Sequence, residues 1–489
     1  MLAAIALTVT LTRYEFFGDE LYFLAAGRRL AFGGADQGPL VPMIAHLTQL
    51  IAPGSLLALR IPVVVLSVAG IVLSAAIARE FGGGRLPQTL AATAYATSPF
   101  MVNQSAMLST FAFDATFLAV ITWLLVRWVR TRQDWLLFVS GVVAAIDIQV
   151  KWLIPVAWVC LGIGVAVSGP RAMLRRRALW CGSAVLAAAA IPGLVWQSAH
   201  GWPQLAMGAV VGAEQDATGG GRIGCVVQMV GLAGLLGALL LAFGIWGAFR
   251  VHSVAPYRFL VLALLLYAWL IALSDGRPYY LGGMFPVAFA AGAVSLSHVG
   301  VERWMRITGI PVVAISVTTV VAALTALPLP GSWLRTPIDT ASQLVQRVSL
   351  HGTEGWSQLT ETVDDAYRTL TPIEQLDTVI ITQNYWQASA LEQFGKQYRL
   401  PAIYSPNRGF GYFDTPPDWA STVLYVGVDN AAAALRADFA SVEPVARLDE
   451  RLGIPGINRK LTVWKCVRPT YPWSQTWTRM MAPELEQGV

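Results

Sequence analysis

The chain has 489 residues, of which 55% are hydrophobic and 13% charged, with 18 tryptophans and a mean hydropathy of +0.55. A soluble globular protein carries roughly 25% charged residues. The composition therefore excludes an ordinary cytosolic enzyme, a disordered chain and a fibrous one. Charge is spread unevenly: residues 1–329 hold 20 Lys and Arg against 12 Asp and Glu, and residues 330–489 hold 14 against 17. This predicts a membrane domain over 1–329 and a soluble domain over 330–489. The net charge of +5 comes from arginines flanking apolar runs, which leaves a nucleic-acid partner without support. Cys160, Cys181, Cys225 and Cys466 show no CxxC spacing and read as small core hydrophobes, not a disulfide framework or a zinc site.

A crossing helix needs about 20 apolar residues. Eleven spans are expected, near 1–12, 56–78, 87–102, 114–129, 134–151, 152–169, 178–196, 223–248, 258–274, 280–299 and 307–327. The first is short and lacks a signal peptide's basic start, so it reads as a retained helix that runs on toward Phe17 or begins upstream. Loops after the even-numbered spans, with their flanks, hold Arg79, Arg85, Arg127, Arg130, Arg132, Arg171, Arg175, Arg176, Arg177, Arg250, Arg258, Arg303 and Arg306. By the positive-inside rule these loops are cytoplasmic. The opposite loops, 13–55, 103–113, 197–222 and 275–279, then face outward together with residues 330–489. The expectation is a polytopic α-helical protein of the plasma (inner) membrane, with about eleven transmembrane helices and a C-terminal extracytoplasmic α/β domain.

Acids divide accordingly. Glu80, Asp134 and Glu302 lie beside arginines on the inner side, where ion pairing accounts for them. The outer side holds Glu15, Asp19, Glu20, Asp36, Asp114, Glu214, Asp216 and Asp275, several against apolar sequence. Ionisable groups at membrane depth are expensive and usually functional.

Directly after the first span comes Gly18-Asp19-Glu20-Leu21-Tyr22, then an amphipathic stretch with Arg28 and Arg29, then Asp36-Gln37-Gly38-Pro39-Leu40. An Asp-Glu pair, a short interfacial helix and an Asp-x-x-Pro-Leu turn in this order resemble the C-type, polyprenyl-phosphate-dependent glycosyltransferase superfamily. Within it the chain is most similar to the bacterial group of protein O-mannosyltransferases and lipid A aminoarabinose transferases. Two positions depart from that pattern: Gly18 stands where Arg is usual, and Gly38 where the first Pro is usual. Further likenesses are Ser109–Asp114, Lys151, Trp196–Pro203 with His200, Asp275–Tyr280 followed by Phe285-Pro286, and, in the soluble part, Asn384-Tyr385-Trp386-Gln387-Ala388 and Leu400-Pro401. In the related motif the segment at 384–388 reads Asn-Tyr-Gly-Glu-Ala.

The resemblance implies an integral-membrane glycosyltransferase moving a sugar from a polyprenyl-phosphate donor to an extracytoplasmic glycan, lipid or protein. Such chemistry needs a carboxylate to take the acceptor's proton, cations to stabilise the departing phosphate, and an apolar groove for the lipid. By resemblance Asp19 is the general base, with Glu20 and Asp114 as supporting acids. Arg28, Arg29, Asp36, Lys151, His200, Arg277, Tyr279 and Tyr280 are the substrate-binding candidates.

Position alone gives each a blander reading. Asp19 fits the N-cap of a helix beginning near Leu21, and Glu20 and Asp114 fit helix-start acids. Lys151 can neutralise Asp147 one turn earlier, and Tyr279 and Tyr280 suit an interfacial aromatic belt. Arg277 has only Asp275 as a nearby acid in sequence, and its fork suits phosphate. His200 in a Trp-rich loop reads as structural unless it touches substrate. No metal cluster can be assembled; a divalent cation is compatible with the chemistry but not indicated. The competing classes are a transporter of a lipid or sugar-related substrate, and a non-catalytic envelope assembly protein. The first would need repeats that the halves lack, and the second would predict loss of Asp19.

In the soluble part, helices are expected at 338–350, 354–369 and 388–398, and strands at 378–382, 422–428 and 460–467, making a small α/β domain of three or four strands. The strand-to-helix loop 383–387 suits ligand contact. The polar-aromatic segment 405–413 suits a sugar but reads equally as a plain loop.

Overall fold

The computed structural model describes residues 2–298 and 309–481. Glu302, Arg303 and Arg306, used above for orientation, lie outside the described residues.

Helices overlap each expected apolar span within the described residues, although turns interrupt several of them. In chain order the helices are α1 (Leu2–Thr10), α2 (Gly18–Gly27), α3 (Leu40–Ile51), α4 (Leu56–Glu80), α5 (Arg85–Ala96), α6 (Pro99–Ser105), α7 (Thr110–Thr131), α8 (Trp135–Asp147) and α9 (Ile154–Ser168). They continue as α10 (Arg177–Ala199), α11 (Pro203–Gly219), α12 (Gly221–Arg250), α13 (Arg258–Leu273), α14 (Phe285–His298) and α15 (Ile310–Ala326). Six helical segments, among them α4, α7, α10 and α12, are long and apolar enough to cross a membrane. The shorter apolar helices include α3, α8, α9 and α15.

Local chemistry sets the boundaries. Ser55 and Ser109 cap α4 and α7 by accepting from the amides of Ala58 and Ala112. The expected span 87–102 is broken in two because Pro99 cannot continue α5; it opens α6 instead, with Ser98 as cap.

Three details refine the expected layout. Helix α1 ends at Thr10 and does not run on toward Phe17. The helix expected to begin near Leu21 starts at Gly18 instead, and it is buried from Glu20 to Gly27 rather than amphipathic. The outer segment 197–222 carries a helix of its own, α11.

Residues from Ala341 onward build α16 (Ala341–His351), α17 (Trp356–Arg368), α18 (Pro372–Leu376), β1 (Thr378–Thr382), α19 (Tyr385–Phe394), β2 (Ile403–Tyr404), β3 (Thr422–Val428), α20 (Ala432–Asp438), β4 (Phe439–Leu448), β5 (Leu461–Pro469) and α21 (Trp473–Met480). The sheet order is β2-β1-β3-β5-β4, with β1 parallel to β2 and β3, and β5 antiparallel to β3 and β4. Strands β1 and β3 are buried along their whole length, as central strands covered on both faces must be. The sheet has five strands rather than three or four. The unexpected β4 is an edge strand, half exposed, with a register shift at Pro444, where an edge tolerates proline.

The helical bundle and this α/β unit share a core. Leu21, Tyr22 and Leu24 of α2, Val41 of α3 and Leu59 of α4 pack in one apolar cluster with Trp356, Leu359, Leu391 and Phe410. Burying these large side chains holds the sheet against the end of the bundle that carries the Asp19 motif.

Candidate active site

Helix α2 is held by a buried charge. Arg60, fully buried in the first turns of α4, donates through Nε and Nη2 to the two Glu20 carboxylate oxygens at 2.8 and 2.6 Å. Its remaining donors reach the carbonyls of Leu11, Tyr14 and Glu15. Glu20 also accepts from the amides of Phe17 at 2.9 Å and Leu108 at 2.8 Å. Four donors satisfy a carboxylate, so Glu20 is committed to fixing α2 against α4 and the start of α7. Arg60 escaped the sequence reading, although a lone arginine inside an apolar run was a signal for it.

The N-cap of α2 is Phe17, and Glu20 supplies the reciprocal bond of the capping box. Asp19, beside it, caps nothing. Its Oδ1 accepts from Tyr385 Oη at 2.7 Å and from Trp386 Nε1 at 2.9 Å. Its Oδ2 accepts no hydrogen bond among the described residues. The side chains gripping Asp19 come from the loop 383–387 and the first turn of α19. Asn384 caps that helix by accepting from Gln387 N at 3.0 Å, which sets the direction in which Tyr385 and Trp386 leave the loop. Burial, and then Asp19 itself, pushes the Tyr385 phenol well above its ordinary value, so it stays a donor.

Asp36 enters from the turn after α2. Gly38 N donates to the Val150 carbonyl at 3.0 Å and Leu40 N to that of Gln149 at 3.0 Å. A Cβ on Gly38 would stand 2.1 Å from the Gln149 oxygen, so the glycine is what lets this turn lie against the backbone leading into Lys151. Asp36 Oδ1 accepts from Tyr22 Oη at 3.4 Å. Burial raises the Asp36 carboxyl, Lys151 and Arg408 oppose that, and Asp19 adds to it. Asp19, Asp36, Lys151 and Arg408 therefore form one electrostatic neighbourhood.

Lys151 does not pair with Asp147. It forms no ion pair among the described residues, and neither Asp147 oxygen has a hydrogen-bond partner. The amine lies over the rings of Phe111, at 4.7 Å, and Tyr280, at 5.6 Å. Tyr279 and Tyr280 are half-buried in the protein. They pack with Phe111 at centroid distances of 4.4 and 5.5 Å around the lysine. Asp114 is no helix cap either, since Ser109 caps α7 and Asp114 sits buried a turn further in.

Arg277 has an acid partner that sequence proximity missed. Its Nη2 donates to Glu214 Oε2 at 2.6 Å, and the other Glu214 oxygen accepts from Arg408. Asp275 faces Arg222 instead, at 3.6 Å. Two guanidinium groups on one carboxylate leave a surplus positive charge joining α11, the start of the last outer loop and the α/β unit. Arg408, missed as a site residue although its segment was singled out, lies over the Tyr385 ring at 5.4 Å.

The remaining candidates lie elsewhere. Arg28 and Arg29 both bind Glu392 of α19, at 2.5 and 2.6 Å, and Arg29 also binds Asp414 at 3.0 Å. They clamp the α/β unit onto α2. His200 is exposed and stacked on Trp196 at 4.1 Å. Among the described residues no three His, Cys, Asp or Glu side chains gather as a metal site.

Six helical segments able to cross a membrane and an α/β unit packed over one end of the bundle make a polytopic membrane fold, which the comparisons with known proteins place with that of the C-type glycosyltransferases. Residues 36–196 match the family model for dolichyl-phosphate-mannose-protein mannosyltransferases. Among solved structures the chain is similar to ArnT from Cupriavidus metallidurans in the apo state, at 14% identity and a TM-score of 0.63, covering 99% of this chain and 98% of that one. The same enzyme bound to undecaprenyl phosphate matches at 13% identity and a TM-score of 0.60, covering 95% and 96%. Arabinofuranosyltransferase AftD from Mycobacteria, mutant R1389S, matches at 13% and 0.50, covering 95% of this chain and 41% of that one. No protein of curated function matches the sequence.

Proposed function

We propose that the protein transfers a sugar from a polyprenyl-phosphate donor to an acceptor outside the cytoplasmic membrane, by a single inverting displacement with Asp19 as general base. The observation that carries this reading is the asymmetry at Asp19: one oxygen is gripped by Tyr385 and Trp386, and the other accepts no hydrogen bond among the described residues. The acceptor hydroxyl attacks the anomeric carbon and gives its proton to Asp19 Oδ2. A new C–O bond forms as the bond from that carbon to the phosphate oxygen breaks, releasing polyprenyl phosphate. Lys151 and the Arg277–Glu214–Arg408 group supply cations for the departing phosphate. Asp114 and Asp36 orient Lys151 and the sugar, and the Phe111–Tyr279–Tyr280 cluster offers the sugar an aromatic wall.

Support comes also from the fold shared with ArnT, which has been seen bound to undecaprenyl phosphate. The positive-inside count supports a periplasm-facing site. The test is turnover of an undecaprenyl-phosphate-linked sugar by purified protein, with the anomeric configuration of the product determined by NMR. Retention of configuration would overturn the single displacement. No turnover of any polyprenyl-phosphate sugar would overturn the donor class.

A further inference from the structure

Far from Asp19, the loop joining α9 to α10 packs beneath an apolar cavity of about 180 Å³. Its walls include Leu125 of α7, Trp158 and Val165 of α9, Leu174 of the loop and Trp180 of α10. Leu125 lies eleven residues beyond Asp114 on the same helix, about 16 Å along its axis. The two indoles that line it are already satisfied: Trp158 Nε1 donates to Ser183 Oγ at 3.2 Å, and Trp180 Nε1 to the Leu174 carbonyl at 2.8 Å. What remains inside is hydrocarbon surface. Cavities of roughly 150 Å³ with such a lining stay dry and take small hydrocarbons. Gly162, also in the wall, has open space where a side chain would go, with no atom within 4 Å of an added Cβ.

The same loop carries Arg171, Arg175, Arg176 and Arg177. Arg176 faces Asp134 at 3.6 Å, and Arg171 Nε donates to the Ala166 carbonyl at 2.9 Å. Arg175 and Arg177 are exposed and have neither an ion pair nor a side-chain hydrogen bond among the described residues. Arg175 directly follows the wall residue Leu174, and Arg177 stands two residues before the wall residue Leu179. An apolar slot with two uncompensated arginines in the chain segment that forms its wall is complementary to a molecule with an alkyl chain and an anionic head.

We infer that this is a binding site for an anionic phospholipid, with part of one acyl chain in the cavity and the headgroup phosphate at Arg175 and Arg177. Arginine forks match phosphate oxygens, and basic pockets between membrane helices hold anionic headgroups. The site lies at the opposite end of α7 from the proposed chemistry, and its existence does not depend on that chemistry. The orientation assigned above puts it in the cytoplasmic leaflet.

The experiment is native mass spectrometry of the purified full-length protein, with phosphatidylglycerol and phosphatidylcholine of identical chains added in turn. Wild type is expected to retain one phosphatidylglycerol in preference to phosphatidylcholine. Arg175→Gln with Arg177→Gln should lower that retention roughly fivefold per arginine removed. Gly162→Leu, which fills the slot, should abolish it. Equal retention of both lipids, or unchanged phosphatidylglycerol binding in the arginine variant, overturns the proposal. Both arginines are on the surface, so that variant decides the question even if Gly162→Leu does not fold.

Discussion

The indole of Trp386 occupies the space in front of Gly18: a Cβ added at Gly18 would stand 2.2 Å from Trp386 Cδ2. The motifs that this chain resembles carry Arg at the first of these positions and Gly at the second. In this chain the tryptophan of α19 fills the room that the glycine of α2 leaves across their interface. Trp386 also bonds Asp19, so this packing reaches the proposed base.

This makes a double-mutant prediction. Gly18→Arg alone should destabilise by about 1–3 kcal/mol through overpacking, and Trp386→Gly alone by about 3–5 kcal/mol through the cavity it leaves. The double variant should be more stable than their sum by about 0.5–3 kcal/mol. Thermal unfolding of all four proteins in one detergent measures this. Strict additivity would show that the two sites are independent.

Asp19→Asn keeps an oxygen to accept from Tyr385 and Trp386 but cannot take up a proton. Turnover is expected to fall about 10²–10⁴-fold, with the melting temperature nearly unchanged. A variant that turns over at the wild-type rate would send the search for the base to Asp114.

Glu20 should behave in the opposite way. Glu20→Ala leaves Arg60 buried without its counter-charge, and breaking such a pair costs about 3–5 kcal/mol. The expected result is a loss of folded protein, with the surviving fraction retaining its kcat. Normal stability with collapsed kcat would give Glu20 a chemical role that its four hydrogen bonds argue against.

Arg277→Ala removes one of the two guanidinium groups on Glu214 and leaves Arg408 to neutralise it. A charge-assisted hydrogen bond to the donor phosphate is worth about 1.5–3 kcal/mol, so donor affinity should drop at least about tenfold, with acceptor affinity little changed. Equal donor affinity in both proteins would make Glu214 the sole partner of Arg277.

The orientation is tested by a reporter fused after Val489 that is active only in the cytoplasm. It should be silent. Clear activity would invert the assignment of every loop, and with it the leaflet of the proposed phospholipid site.

The apolar helices and the principal strands were legible because their signals are local. A run of apolar residues of the right length can bury its backbone polar groups only as a helix in lipid, and a β-branched run such as Thr378–Thr382 makes a buried strand. The edge strand β4, polar and interrupted by Pro444, had no such signal. The motif positions were equally local: Asp19 after the first span, and the loop 383–387 between a strand and a helix.

What these residues touch was settled only by the tertiary structure. Asp19 and Tyr385 are 366 positions apart, and Arg60 meets Glu20 across 40. Charge pairing in sequence pointed Lys151 to Asp147 and Arg277 to Asp275. In the fold Lys151 turns to Phe111 and Tyr280, and Arg277 to Glu214. Proximity in sequence fixes separation but not direction. The direction of a side chain follows from how helices and sheet pack to bury their apolar faces, and that is a property of the whole chain.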